Sequence, residues 1–343
     1  MKIAINRKLQ KGPWGGGNQF LRELVHLLEK NGHQVVEDLR HHNPDLILIV
    51  EPRRRSKGVT FSGREILWHL IRRGKNGPTV IHRINECDER KKSFTMNARL
   101  RSINSLADHT VFVGSWLKDL RVWYRRPRQS HSVILNGAST RHFFPSERVA
   151  WQGVGPLKLV THHWSNNWQK GFDVYQHIDN LLASTRWMGK ISFTYIGNAP
   201  KEFTFRNSLV VAPLSGMDLG DALREHHVYV TGSQNEPGSM HQVEGMMCGL
   251  PVVFRDSGAL PEYCEGFGEI FNGPEDVEEA LQRMFENYAK WRGKIDQVSL
   301  SSDNMALAYY KLFQDLTRES TTSSNTVSLL KKAIGYFGGF VFR

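Results

Sequence analysis

Glu236 and Glu244 stand eight positions apart in the stretch NEPGSMHQVEGMMCGLPVV, residues 235–253. Between them lie a Glu-Pro-Gly turn signal and a capping-box pattern, in which Ser239 caps a helix and Gln242 reaches back. The apolar spacing predicts a helix from Met240 to about Cys248, with Gly249 as C-cap and Pro251 preventing continuation. One acid then sits in the loop before the helix and the other inside it. The first N–H groups of a helix lack intrahelical partners and carry its positive end, which suits a diphosphate. Carboxylates take charge-assisted hydrogen bonds from sugar hydroxyls. Two acids flanking such a helix end can hold a sugar on one side and a ribose on the other. The spacing taken alone is better matched by a capped surface helix with incidental acids.

A second phosphate-type feature lies in the first residues. KIAINRK reads as a strand, LQKGPWGGGNQ as a loop with Gly12, Gly15, Gly16 and Gly17, and QFLRELVHLLEKNGH as a helix. Glycines let backbone N–H groups approach an anion. The G-x-G-x-x-G order is absent, so the dinucleotide fingerprint fails, and a tight turn explains the glycines nearly as well.

The elements that must position these residues follow one rhythm. QVV, DLILIV, PTVIHRIN, VFVG and SVILN are short buried-strand runs with helical stretches between them. Leu21, Leu24 and Leu28 recur at helical spacing in the first helix, and Gly32 stands where a C-cap is expected. The rhythm fades at SERVAWQGVGP, residues 146–156, and restarts with LKLVTHH, ISFTYIGN, SLVVAP, VYVTGS and VVFRDSG. Alternating strands and helices imply parallel, doubly wound sheets. We expect two α/β domains, 1–150 and 151–300, then a helix over 301–318 that returns to the first domain. Residues 319–343 read as a linker and a short apolar, basic tail, LLKKAIGYFGGFVFR. That tail is too short to span a bilayer; it suits a membrane surface, a frayed end or a piece docked on the domain.

Charge divides the chain. Residues 1–145 hold 27 Lys and Arg against 12 Asp and Glu, an excess of 15 positive charges; the remainder holds 18 against 22. A basic half attracts polyanions such as anionic lipid or phosphorylated substrates. No nucleic-acid-binding motif is present, so nucleic acid is not an expected partner. The odd number of cysteines, Cys87, Cys248 and Cys264, at no metal-site spacing, suits free thiols in a cytoplasmic protein. There is no apolar run of membrane-spanning length and no secretory h-region.

Several segments, taken in order, resemble the family 4 glycosyltransferases. Residues 236–244 resemble the family's E-x7-E signature. SVILNGASTRHFFP resembles its segment closing the first domain, ADHTVFVGSWLKD its AD-strand, THHWSNNWQKGFD its donor segment ending in Lys-Gly, and SGALPEY its turn after the E-x7-E helix. The set runs over most of residues 1–316. The resemblance implies a GT-B fold, two Rossmann-like domains facing across a cleft, and a retaining, metal-independent sugar transfer with a nucleotide sugar as co-substrate and no cofactor.

On that resemblance, Glu236 touches the transferred sugar and Glu244 the nucleotide ribose. Gly238, Ser239 and Met240 offer N–H groups to sugar and phosphate. Lys170 neutralises the departing diphosphate, and Gly15 and Gly16 approach it from the first domain. His82, Arg83 and Asn85 sit where the family presents residues to the sugar, with His82 assisting the acceptor's proton loss. The chain departs from the family where an Arg usually precedes the Lys: Trp164 and Ser165 stand there instead. Arg83, His163 and Arg255 are the candidate replacements. The acceptor is expected to be a glycan or lipid-linked molecule, with an anionic membrane surface as a further partner. The alternative reading is a nucleotide-sugar-binding protein without turnover.

Overall fold

The computed structural model describes residues 1–10, 16–123, 130–145, 150–322 and 329–338. The chain divides into unit 1, residues 1–135 with 303–343, and unit 2, residues 136–302.

Unit 1 is built on six parallel strands: β1 (Lys2–Ile5), β2 (Gln34–Val36), β3 (Leu46–Ile49), β4 (Thr79–Ile84), β5 (His109–Phe112) and β6 (Ser130–Val133), in the order β2-β1-β3-β4-β5-β6. The run LILI of β3 is buried throughout, as a strand covered on both faces must be. Alternate residues feed two cores. Ile3, Ile5, Leu46, Leu48 and Ile81 meet helix α1 (Gly16–Lys30) through Phe20, Leu24 and Leu28. Ala4, Ile47, Ile49 and Val80 meet α2 (Gly63–Arg73) through Ile66, Leu67 and Leu70. The short α3 (Asp88–Lys91) and α4 (Met96–Asn104) complete this part of the unit.

Unit 2 repeats the plan. Its strands are β7 (Leu157–His163), β8 (Ile191–Gly197), β9 (Leu209–Val211), β10 (Val228–Thr231), β11 (Val252–Arg255) and β12 (Gly268–Phe271), all parallel, in the order β12-β11-β10-β7-β8-β9. Its helices are α5 (Phe172–Leu181), α6 (Gly216–Arg224), α7 (His241–Met247), α8 (Leu260–Cys264) and α9 (Val277–Ile295). α10 (Ser302–Thr322) carries the chain back into unit 1, where Met305, Tyr309 and Phe313 fill the α1 side of the core. α11 (Leu329–Gly338) packs on α2 and α4.

The division falls at Leu135/Asn136, ahead of the 146–156 stretch at which the pattern fades. The reason is bonding to distant parts of unit 2. Asn136 N–H donates to Tyr263 OH at 2.7 Å, Ala138 bridges Ser301, and Arg224 Nη1 donates to His142 O at 2.9 Å. A Cβ on Gly137 would collide with the Ser301 carbonyl, so glycine alone allows the two backbones to cross there.

Candidate active site

In a doubly wound sheet, ligands bind beyond the carboxyl ends of the strands where the strand order reverses. In unit 2 the order reverses between β7 and β10. Lys170 follows β7, and Glu236 follows β10. The two loops are fastened together by backbone contacts. Gln234 N–H donates to Gln169 O at 2.8 Å, and Ser233 Oγ donates to Lys170 O at 3.3 Å. Gly171, at φ 101°, lies so close to Gly232 that an added Cβ would come within 2.5 Å of the Gly232 backbone. This approach brings Lys170 Nζ to 2.7 Å from Glu236 Oε1, with side-chain exposures of 11% and 4%.

The Glu236 loop is braced from two more segments. Ala259 N–H donates to Glu236 O at 2.8 Å, Asn235 N–H to Ser257 Oγ at 2.9 Å, and Gly258 passes the Glu236 backbone where a Cβ would not fit. Asn136 Nδ2 donates to Gly238 O. Asn136 and the segments SGALPEY and NEPGS, apart in the sequence, are therefore in contact around one loop.

Glu244 is carried by α7, which presses on β10 because Gly245 leaves room for the Tyr229 ring. Glu244 Oε2 lies 2.7 Å from His162 Nε2 at the end of β7, and both side chains are buried. His162 Nδ1 in turn meets Tyr229 OH at 3.1 Å. α7 begins at His241, with Met240 as N-cap and Gly249 just past its end at φ 82°. The anticipated capping box takes another form. Ser239 Oγ bonds Gln242 Oε1 at 2.7 Å and Gln242 Nε2 donates to the Ser239 carbonyl at 2.9 Å.

His163 does not replace the missing arginine. Its ring stacks on Tyr175, its Nε2 lies 2.6 Å from Tyr175 OH, and the His241 ring is 4.6 Å away. Burial, followed by the charges of His241 and Lys170, pushes its pKa well down, so the ring is neutral and part of an aromatic wall. Arg83 lies in unit 1, buried, with its guanidinium 4.0 Å above the Phe20 ring. Arg255 is the candidate attached to the unit 2 loops: Nη1 donates to Asp173 Oδ2 at 2.8 Å and to Gly232 O at 3.4 Å. At the usual arginine position, Ser165 Oγ accepts from Asn167 N–H at 3.3 Å, and Trp164 is exposed.

His82 does not stand at a surface where it could take an acceptor's proton. It lies within β4 with no exposure, Nδ1 facing Asn104 Nδ2 at 3.1 Å, and burial lowers its pKa to about 3. The strand's alternation turned a residue near the edge into the core. Asn85, one residue past β4, does reach a pocket of about 360 Å³, shared with Arg7, Gly16, Glu51, Arg53 and Arg90. This pocket lies at the switch point of the unit 1 sheet, between β1 and β3. Glu51 is buried there. Burial alone would raise its pKa, but the hydrogen bonds and charges of Arg53 and Arg7 outweigh it and lower it. Gly15 lies outside the described residues. No cluster of three or more His, Cys, Asp or Glu among the described residues is arranged to hold a metal.

Two features of the site are not legible in the sequence: the His162 contact to Glu244 and the Asn136 grip on Gly238. Each joins segments whose proximity only the folded sheet creates.

No family model matches the chain, and no curated protein matches it. Solved structures do. A sucrose-phosphate synthase from Thermosynechococcus elongatus is 13% identical with a TM-score of 0.64, covering 93% of this chain and 99% of that one. The lipopolysaccharide outer core galactosyltransferase WaaB is 15% identical with a TM-score of 0.62, covering 91% and 100%. Anabaena HepE, solved with UDP and glucose, is 12% identical with a TM-score of 0.60, covering 94% and 99%. At these identities the likeness establishes the fold, and it is the GT-B fold of these glycosyltransferase structures.

Proposed function

We propose that this chain is a glycosyltransferase that moves a sugar, with retention, from a nucleotide-sugar donor held by unit 2 to a glycan or lipid-linked acceptor. The observation that carries the reading is the buried Lys170–Glu236 pair at the switch point of the unit 2 sheet, with Glu244 on the helix that follows. A buried ammonium beside one buried carboxylate, with a second carboxylate held by His162 on the following helix, fits a ligand with an anionic middle and hydroxylated ends.

In this reading the donor diphosphate lies against Lys170 and the Gly238–Met240 backbone. Glu236 takes hydroxyls of the transferred sugar and Glu244 those of the ribose. The sugar C1–O bond breaks, its electron pair stays on the diphosphate, and the ammonium stabilises the growing charge. The acceptor oxygen bonds to C1 and its proton passes to the departing phosphate oxygen, the base that the reaction itself generates. Arg255, bonded to Gly232 O, supplies the second positive charge in place of the arginine absent at Ser165. The reading includes no resident metal or cofactor. It places the protein in the cytoplasm, working on acceptors at the inner face of a membrane.

The substitution at 164–165 favours one other reading, a protein that binds a nucleotide sugar without turnover. A thermal-unfolding screen with UDP-, GDP- and ADP-sugars tests the shared premise. A donor at a hundred times its Kd adds about 2.7 kcal/mol of stability. A matching donor raises Tm; no response to any of the panel contradicts both readings.

A further inference from the structure

The exposed face of unit 1 made by α2 and α11 is both apolar and basic. α11 is fastened by its inner side. Lys332 Nζ donates to Asp108 Oδ1 at 2.6 Å, Ser102 Oγ to Tyr336 O at 2.6 Å, and the Tyr336 ring lies over Gly63, where a Cβ would meet it at 2.7 Å. Its outer side shows Leu330, Ile334 and Phe337, 68%, 60% and 62% exposed, at positions i, i+4 and i+7 of one stripe. On α2, which α11 touches, Trp68 and Ile71 are also exposed, 52% and 48%. The exposed charges of these two helices are Arg64, Arg72, Arg73 and Lys331, against one acid, Glu65. Arg54, from the loop after β3, is close enough for its charge to act on Tyr336.

We propose that this face docks on an anionic lipid bilayer. Large apolar side chains on the outside of a pinned helix suit the boundary between headgroups and acyl chains, and tryptophan favours that depth. Apolar insertion is one anchoring signal and the basic residues are the second, and two together give stable attachment. A second copy of this chain fits the face less well, because a symmetric contact would set the same arginines against each other. The proposal deepens the membrane-side acceptor reading and rests on it only for the reason the protein meets a membrane. Its test reads lipid binding alone.

The full chain is co-sedimented with vesicles of phosphatidylcholine, or of phosphatidylcholine with about one third phosphatidylglycerol, at near-physiological salt. The wild type binds the anionic vesicles at least about tenfold more tightly than the neutral ones. Leu330→Ser/Ile334→Ser/Phe337→Ser loses at least about tenfold of that affinity. Arg72→Gln/Arg73→Gln, at exposed positions that leave the fold untouched, loses about fivefold per charge. Unfolding temperatures identify any variant that fails to fold. A wild type that binds neither vesicle overturns the proposal. So do charge variants that bind like the wild type, or an apolar variant that turns a dimer into a monomer with lipid binding unchanged. Donor turnover in solution, measured on the same samples, reports the proposed reaction separately.

Discussion

Lys170 Nζ lies 2.7 Å from Glu236 Oε1, and the two residues reach each other from loops that follow adjacent strands of one sheet. Removing one member of a buried pair takes a short ion contact from the other charge, at a cost of up to about 3–5 kcal/mol. Lys170→Ala is expected to lower Tm and to reduce sugar transfer by about 10²–10³-fold. Lys170→Arg keeps the charge and should recover stability more than transfer, because a planar guanidinium cannot occupy the ammonium's place. Denaturant unfolding and initial rates check the two effects separately. Equal recovery of both by the arginine would count against a role for the ammonium's position.

Gly171→Ala tests how the pair is brought together. The alanine needs a left-handed φ and sets its Cβ against the Gly232 backbone. The backbone cost alone is about 1–2 kcal/mol. We expect a loss of stability at least that large and a loss of donor binding, read by calorimetric titration with a nucleoside diphosphate. Gly189→Ala, also at positive φ but with open space around it, should lose stability and retain donor binding.

Asn136→Ala removes the bond to the Gly238 carbonyl, and this bond shapes the loop between the two glutamates. A typical hydrogen bond contributes about 1 kcal/mol, so donor KM should rise by about five- to tenfold with kcat little changed. Steady-state kinetics over a range of donor concentrations decide it; a fall in kcat at unchanged KM would assign Asn136 to the chemical step.

Buried histidines set the response to acid. His82 has its pKa lowered to about 3 by burial, and His109 to about 4 by burial and then by the charge of His131. Both are neutral when folded, whereas the unfolded chain protonates them near pH 6.5. The unfolded state therefore binds more protons as pH falls below 6.5. Stability is fully present above that pH and declines towards pH 4, by up to about 1.4 kcal/mol per pH unit for each group. Urea midpoints at pH 7.5, 6 and 5 should fall in that order. His82→Gln should change these midpoints while leaving the shape of the pH–rate profile for transfer intact, since the ring never meets the acceptor.

Much of this architecture is readable in the residues themselves. Runs such as LILI and VYVT, buried on both faces, report a parallel sheet, and the spacing of Phe20, Leu24 and Leu28 reports the first helix. Glu236, Glu244 and Lys170 are legible because they stand in ordered segments. Which way a strand residue faces is harder to read. His82 and Arg83 are neighbours that enter opposite cores, and neither reaches the pocket that Asn85 lines. His163 has the chemistry of a cation, but burial, followed by the charges of His241 and Lys170, holds it neutral. The boundary at Asn136 depends on contacts with Tyr263 and Ser301, more than a hundred residues away, and no local signal encodes them.

Glu236 and Lys170 are proposed to act together on a nucleotide sugar. Release of nucleoside diphosphate from the donor identified by the unfolding screen, followed for the wild type and for Glu236→Gln, tests it most directly. Steady release is expected from the wild type and a loss of at least about 10²-fold in the variant, with nucleoside diphosphate binding retained. Equal release by the two proteins, or donor binding by the wild type with no release in the presence of any acceptor tried, would contradict it.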